Sequence, residues 1–289
     1  MKSKTAEALA VAYHRWRIEL IGIFSPKSAA LAAYRLFTVP PPPTRPIPDP
    51  QLPEAEPISF PFKDFLISGF GWKPKVPNGK KIILAHGFRS YALKFEHLAK
   101  ALLEKGFTIY AFDAPVHGRS GGQKIEAVTY RDMILEADRL FGPFYAGVGH
   151  SLGGLSMALA SERFQDVPPR KVVFIAPATE TSRSIADLFR IIPVRNAIRE
   201  AFNDLVHEFA GVPVSHFSVN RVVQSSRHSI LWIHDEDDKI CPLEDLRPSL
   251  DLSPKRVEFL ITKGLGHNQV YRDPTVINQL VAFIHNPEI

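Results

Sequence analysis

The sequence predicts an α/β protein in which helices cover both faces of a mostly parallel sheet. Short, continuous apolar runs alternate along the chain with stretches whose apolar residues recur at three- and four-residue spacing. Such runs are typical of buried parallel strands, because both faces of a parallel sheet pack against helices. Strands that alternate with helices also need crossover connections, which join parallel neighbours.

The predicted strands and helices of this sheet begin near residue 58. One or two early strands are expected over 58–67, and a helix that Ser90 caps is expected to end near Gly106. A further helix is expected over 126–140. The remaining strands are predicted at 81–85, 107–112, 145–148, 172–175, 230–233 and 257–261.

The first 38 residues are predicted to form a helical arm, which the pair Ser25-Pro26 divides from a second short helix at 29–37. Apolar residues recur on one face of its first helix: Leu9, Tyr13, Trp16, Leu20 and Phe24. We interpret this face as packing on the main body of the protein. The alternative is a weak contact of the arm with a membrane surface, which Trp16 and the neighbouring arginines favour.

A proline-rich segment follows the arm. Ten of the 25 prolines lie in 40–61, where helix and central strand are excluded because proline lacks the amide donor and restricts φ. We interpret this segment as an extended strap. The predicted domain organisation is therefore an arm and strap over 1–57 and a main domain over 58–289.

About fifty residues between 177 and 227 are too many for a simple crossover. Their apolar residues recur at helical spacing, and we interpret the stretch from about 181 to 226 as a helical cap inserted into the main domain. Ligands of open α/β sheets bind at the carboxyl edge of the strands, which is the surface left free for a cap. Phe189 and Phe202 are therefore expected to line the substrate pocket.

The composition excludes several classes of protein. A net charge of +5 without a run of five like charges does not indicate a nucleic-acid partner. A single cysteine, Cys241, excludes a disulfide within the chain and a four-cysteine zinc site, and it suits a cytoplasmic location. No run of about eighteen apolar residues predicts a transmembrane helix, and no cleavable signal peptide is predicted.

The most informative motif is Gly-His-Ser-Leu-Gly-Gly at 149–154. It follows a predicted strand and precedes a helical pattern, as expected for the Gly-x-Ser-x-Gly turn that presents a nucleophilic serine. Gly149 and Gly153 remove side chains that would collide in so tight a turn. Ser151 is the predicted nucleophile.

A serine hydroxyl needs a general base, and that base needs an acid to orient it. His267 follows the last predicted strand and is the expected base. The acid is expected from the loop at 234–242, where several aspartates stand. Glu180, which follows an earlier strand, is an alternative acid.

The tetrahedral intermediates of acyl transfer need hydrogen-bond donors for a developing oxyanion. The backbone N–H groups of Leu152, directly after the nucleophile, and of Phe88, in the loop after the strand at 81–85, are expected to supply them. Gly87 would allow this loop to approach the substrate closely.

These motifs together resemble the α/β-hydrolase superfamily over roughly 58–289. Its landmarks here are HGF at 86–88, DAPVHGRS at 113–120, GHSLGG at 149–154, DDKICP at 237–242 and GLGH at 264–267. In that family the acid usually precedes a proline by four residues, which selects Asp238 over Asp237 and Asp235. The family pattern does not include the arm and strap.

The resemblance implies a serine hydrolase of the esterase or lipase-like branch, with a catalytic triad of Ser151, Asp238 and His267. The expected substrate is a carboxylic ester or thioester of a small, hydrophobic acyl group, which is cleaved through an acyl-enzyme. No metal and no organic cofactor are expected. Two alternatives stay open: an acyltransferase with the same triad, and a non-catalytic member of the fold that binds a ligand. The sequence predicts no oligomeric state.

Overall fold

A computed structural model describes residues 2–42, 46–164 and 169–286 of the chain, without the side chains of residues 2–5 and 7. The part of the predicted strap at 43–45 lies outside the described residues. The chain divides into two compact units. Met1–Val39 and Glu180–Phe217 form the first, here called the arm–cap unit, and Pro40–Thr179 and Ser218–Ile289 form the second, the sheet unit.

The helices and strands alternate along the sheet unit as the sequence predicts. The strands are β1 (Ala55–Phe62), β2 (Phe65–Trp72), β3 (Lys81–Ala85), β4 (Thr108–Phe112), β5 (Ala146–His150), β6 (Lys171–Ile175), β7 (Ser229–Asp235) and β8 (Val257–Thr262). The helices of the described residues are α1 (Lys2–Phe24), α2 (Pro26–Thr38), α3 (Glu96–Leu103), α4 (Ala127–Phe141), α5 (Leu152–Ser161), α6 (Thr181–Ile191), α7 (Asn196–Ala210), α8 (Val219–Ser225), α9 (Arg247–Leu252), α10 (Gly266–Gln269) and α11 (Pro274–His285).

Within the described residues, the sheet has eight strands in the order β1-β2-β4-β3-β5-β6-β7-β8. The strands from β3 onward pair in parallel, whereas β2 runs antiparallel to both β1 and β4. Every residue of β5 and β6 is buried, which explains their apolar runs. The predicted fold class is confirmed. Because β5 lies inside the parallel part of the sheet, the turn after it stands at the carboxyl edge.

One predicted helix start is wrong. Ser90 does not cap a helix; a 3₁₀ turn at Ala92–Phe95 precedes α3, which begins at Glu96. The first N–H of this turn, that of Ala92, donates to the buried carboxylate of Asp113 at 2.7 Å. Asp113 follows β4 and is distant in sequence, so local capping signals do not reveal this acceptor.

The arm–cap unit consists of α1, α2, α6 and α7 with a short 3₁₀ turn. Ser25 caps α2, because its hydroxyl accepts the N–H of Ser28 at 3.1 Å. Tyr34 of α2 packs its ring on Phe202 of α7, with the centroids 5.8 Å apart. The arm thus shares a hydrophobic core with the residues of the predicted cap.

The cap segment of the arm–cap unit ends at Phe217, earlier than the predicted 226. The difference is α8, which buries Val219, Val222 and Val223 within the sheet unit. Its Arg221 also pairs with Glu162, just after α5, at 2.7 Å. The strap residues from Pro40 onward likewise belong to the sheet unit.

No described helix is both long and apolar enough to cross a membrane.

Candidate active site

Ser151 occupies a strained turn between β5 and α5. Its backbone has φ 55° and ψ −122°, a region that residues with a Cβ rarely adopt. The Ser151 N–H donates to the carbonyl of Ile175 at 3.1 Å, and its own carbonyl accepts the N–H of Leu155 at 3.1 Å. A side chain at position 153 would collide with the backbone of Ala85, so this tight turn requires Gly153.

His267 and Asp238 form a hydrogen-bonded pair. The Nδ1–H of His267, in α10 after β8, donates to Oδ2 of Asp238 at 2.8 Å. The other carboxylate oxygen accepts the backbone N–H groups of Ile240 at 2.8 Å and Cys241 at 2.9 Å. Burial alone would raise the pKa of Asp238, but these hydrogen bonds outweigh it and the net shift is downward. An ionised Asp238 holds the proton on Nδ1 and leaves Nε2 of His267 as the basic nitrogen.

His150 connects the serine turn to this pair. Its Nε2–H donates to the carbonyl oxygen of His267 at 2.9 Å, and the two ring centroids are 4.7 Å apart. Burial, together with the neighbouring His267, lowers the pKa of His150 to about 3, so the ring is neutral at pH 7. Since His150 directly precedes Ser151, this contact places the His267–Asp238 pair beside the serine turn in the sheet unit.

Asp235 is a site residue that sequence reasoning considered only as an alternative acid. Its carboxylate accepts the backbone N–H groups of Leu265 at 3.1 Å and Gly266 at 2.9 Å, and the hydroxyl of Thr262 at 2.7 Å. Burial raises the pKa of Asp235, but the hydrogen bonds outweigh it and lower the pKa overall. Asp235 therefore holds the loop that carries His267.

The remaining candidate acids are positioned differently. Asp237 accepts the backbone N–H of Gly264 at 3.0 Å through Oδ2. Glu180 is the residue that precedes α6, in the arm–cap unit. Of the three aspartates at 235, 237 and 238, Asp238 is the one that bonds the ring of His267.

The Phe88 loop lies close to the nucleophile. A Cβ added to Gly87 would come within 2.8 Å of the Cβ of Ser151, so only glycine allows this approach. In the part of the chain that the structure describes, the backbone N–H groups of Phe88 and Leu152 donate to no protein acceptor. Both groups are thus available to an incoming oxygen atom.

Two neutral histidines hold this loop in shape. Nε2 of His86 accepts the N–H of Ala114 at 2.9 Å, and its Nδ1–H donates to the carbonyl of Gly87 at 2.8 Å. Nε2 of His117 accepts the N–H of Arg89 at 3.0 Å. Burial is the main cause that lowers the pKa of each ring to about 4. Both rings are therefore neutral at pH 7, and Nε2 of each can accept a hydrogen bond.

These histidines predict a loss of stability in acid. In the unfolded chain each takes up a proton near pH 6.5, whereas in the folded chain it does so near pH 4. Their contribution to stability is therefore complete above about pH 6.5 and is lost as the pH falls towards 4. Each contributes at most about 3 kcal/mol. We expect the urea concentration at the midpoint of unfolding to fall as the pH is lowered from about 6.5 to 4. The decrease should be smaller in the His117→Gln variant.

The matched control for this prediction is His97→Gln, because His97 lies on the exposed side of α3. It should retain the pH dependence of the wild type. An identical pH dependence in His117→Gln and the wild type would contradict the role given to His117.

The sheet order, the strained serine after its fifth strand and the acid and base on later loops define the architecture of an α/β hydrolase. A family model described as serine aminopeptidase, S33, matches residues 77–213. Monoacylglycerol lipase from Mycolicibacterium smegmatis is 22% identical over 242 residues, which are 70% of this chain and 86% of that protein. The chain has the α/β-hydrolase fold, as its motifs predict.

Two further proteins are similar over different extents. Human monoglyceride lipase is 26% identical over 168 residues, which are 52% of this chain and 54% of that protein. The structure of an esterase from Pyrococcus furiosus matches with a TM-score of 0.63 at 18% identity, over 85% of this chain and 98% of that one. At this identity the structural match supports the fold.

Proposed function

We propose that this protein is a serine hydrolase that cleaves carboxylic esters through an acyl-enzyme on Ser151. The observation that supports the proposal best is a strained serine whose neighbour His150 contacts a bonded histidine–aspartate pair, with an Nδ1–Oδ2 distance of 2.8 Å. Chains that merely retain the fold have no need for backbone strain at a serine beside such a pair.

In the proposed reaction, Nε2 of His267 accepts the hydroxyl proton as Oγ of Ser151 attacks the acyl carbonyl. The N–H groups of Phe88 and Leu152 bind the oxyanion of the tetrahedral intermediate. The imidazolium, which Asp238 stabilises, then gives its proton to the leaving alkoxide, and the alcohol departs. A water molecule, deprotonated by His267, then attacks the acyl carbonyl of the acyl-enzyme. As the bond from the acyl carbon to Oγ breaks and the acid leaves, the imidazolium returns its proton to Oγ of Ser151.

The similar proteins suggest the first substrates to test. Two of them are named as monoacylglycerol or monoglyceride lipases and one as an esterase. We therefore propose an ester of a hydrophobic acyl chain, with monoacylglycerols as the natural type and p-nitrophenyl esters of increasing chain length as reporters.

A fluorophosphonate probe tests the proposal directly. We expect one covalent adduct, which mass spectrometry places on the peptide that contains Ser151, together with loss of esterase activity in proportion to labelling. A protein that is folded at neutral pH, yet neither reacts with the probe nor hydrolyses any ester of the series, would contradict the proposed function.

Selection of the acyl chain by Phe189 and Phe202 stays a prediction. Within the arm–cap unit both rings are buried, and their centroids are 5.2 Å apart. Phe189→Ala should change the ratio of the specificity constants for octanoyl and acetyl esters more than it changes acetyl turnover. The loss of transition-state stabilisation for the octanoyl ester should be at most about 3 kcal/mol, because one hydrophobic contact is removed.

Ile191→Ala is the matched control, since Ile191 lies on the same helix with 54% of its surface exposed. It should keep the wild-type ratio. Phe202→Ala, whose ring also contacts Tyr34, needs a parallel measurement of stability. If both phenylalanine variants fold and keep the wild-type ratio, these rings serve only to pack the arm–cap unit.

A further inference from the structure

The first helix of the chain carries an exposed apolar stripe. Its residues recur at three- and four-residue spacing and so lie on one side of α1, over a length of about 22 Å. Trp16 is 62% exposed and Phe24 is 85% exposed. The stripe consists of Leu9, Tyr13, Trp16, Leu20, Ile23 and Phe24. The sequence interpretation of this face as packed on the main body is therefore wrong, because the face is exposed.

The opposite side of α1 is firmly packed. Ile18 is 2% exposed, and a Cβ on Gly22 would lie only 2.6 Å from Ile198 of α7. Between these two residues, Glu19 accepts the backbone N–H of Arg195 at 2.7 Å and its Nε–H at 2.8 Å. These contacts fix the rotation of the helix, so the exposure of the stripe follows from how α1 packs within its own unit.

Positive charge accompanies the stripe. Residues 1–39 contain six lysines and arginines but two glutamates, a net charge of +4 out of +5 for the whole chain. Arg15 and Arg17 are exposed. At about 100° per residue they stand on the two flanks of the stripe, one on either side of Trp16.

We propose that this stripe binds the surface of a lipid bilayer that contains anionic lipids. Aromatic and aliphatic side chains between flanking arginines are the pattern of a helix that lies in the headgroup region. Trp16 and Tyr13 have an apolar body with a polar edge, which suits that boundary. The arginines of α1 also explain why the helix lies on the bilayer and does not cross it.

Charge disfavours a second copy of this chain as the occupant. Two stripes packed against each other would bring the Arg15 and Arg17 of both copies to the rim of one apolar contact, where like charges repel. Anionic headgroups neutralise the same arginines. The proposal concerns α1 alone and does not depend on the chemistry at Ser151.

Tryptophan fluorescence of the full chain provides a direct test. The chain has three tryptophans, and both Trp72 and Trp232 are fully buried, so a water-soluble quencher such as acrylamide reports mainly on Trp16. We expect vesicles of phosphatidylcholine with phosphatidylglycerol to shift the emission to the blue and to protect it from acrylamide. Lipids brominated on the acyl chain should quench it. The effects should weaken with salt and with vesicles of phosphatidylcholine alone.

Cosedimentation with the same vesicles compares variants. The partition constant of the double variant Trp16→Glu/Leu20→Glu should be at least about tenfold lower than that of the wild type. The double variant Arg15→Gln/Arg17→Gln should lose mainly the preference for anionic lipid. Leu252→Glu is the matched control, because Leu252 is an equally exposed apolar residue of the sheet unit and should leave binding unchanged. All these positions are exposed, so circular dichroism should show an intact fold.

Three outcomes would overturn the proposal. In the first, the wild type stays in the supernatant with both kinds of vesicle. In the second, the Trp16→Glu/Leu20→Glu variant binds as well as the wild type. In the third outcome, light scattering shows that the wild type is a dimer and that the Trp16→Glu/Leu20→Glu variant is a monomer, and neither protein binds vesicles. The occupant of the stripe is then a second copy. Hydrolysis of a short, soluble ester without vesicles tests the proposed function separately.

Discussion

Replacing Ser151 by alanine is expected to lower kcat/KM for ester hydrolysis at least about a thousandfold, which corresponds to about 4 kcal/mol of transition-state stabilisation. The proposed acyl-enzyme forms on this hydroxyl, so its removal eliminates that covalent route. Residual turnover would come from the N–H groups of Phe88 and Leu152, which the substitution leaves in place. The measurement is the initial rate on a short p-nitrophenyl ester.

The fold of this variant should be preserved. The strained backbone at residue 151 is held by hydrogen bonds of the main chain, such as that from its N–H to Ile175 at 3.1 Å, and alanine retains them. Ser225→Ala is the matched control, because Ser225 lies exposed on α8 and should leave the rate unchanged. Turnover within a few-fold of the wild type in Ser151→Ala would exclude the proposed nucleophile.

Local patterns predict the serine turn well. The residues that shape it are close in sequence, and a side chain at Gly149 would collide with the backbone of Gly153 and Gly154 in the same short segment. The strands β5 and β6 are also predicted well, because complete burial favours apolar residues at every position except their ends, where His150 and Lys171 stand.

Contacts between distant segments could not be predicted in this way. Asp113 supplies the first acceptor of the turn before α3, and Asp235 holds the loop of His267, through bonds that span more than twenty residues. His86 and His117 hold the Phe88 loop through hydrogen bonds between two loops that are neighbours only in the folded sheet. Their roles depend on which strands are neighbours, which no local window contains.

Periodicity likewise reveals that a helix has an apolar face but not what covers it. The spacing of residues such as Trp16 and Leu20 suggested burial against the main body, whereas the structure exposes them and buries Ile18 instead. Gly22 determines which side of α1 packs, because its lack of a side chain lets the helix approach Ile198 closely on the side opposite the stripe. A glycine contributes little hydrophobicity, so the apolar pattern of the sequence does not identify this side as the packing face.

Asp238→Asn is the second change expected to have a large effect, a loss of about 10³- to 10⁴-fold in kcat. Its Oδ1 position can still accept the N–H groups of Ile240 and Cys241, so the turn should hold. The amide nitrogen would then face Nδ1 of His267, where a donor meets a donor. The ring relieves this conflict by moving its proton to Nε2, and in that tautomer it cannot accept the proton of Ser151.

Asp237→Asn is the matched control for this change, one residue away. Asp237 bonds the backbone N–H of Gly264 through a carboxylate oxygen, and an asparagine oxygen can accept the same bond at 3.0 Å. Its effect on kcat should therefore be much smaller, and Glu180→Gln should also be mild. Comparable losses in Asp237→Asn and Asp238→Asn would show that the loop tolerates no change of charge and that the tautomer argument is wrong. A severe loss in Glu180→Gln beside a tolerated Asp238→Asn would move the acid to the residue before α6, and His267 would then need a partner other than the one it contacts at 2.8 Å.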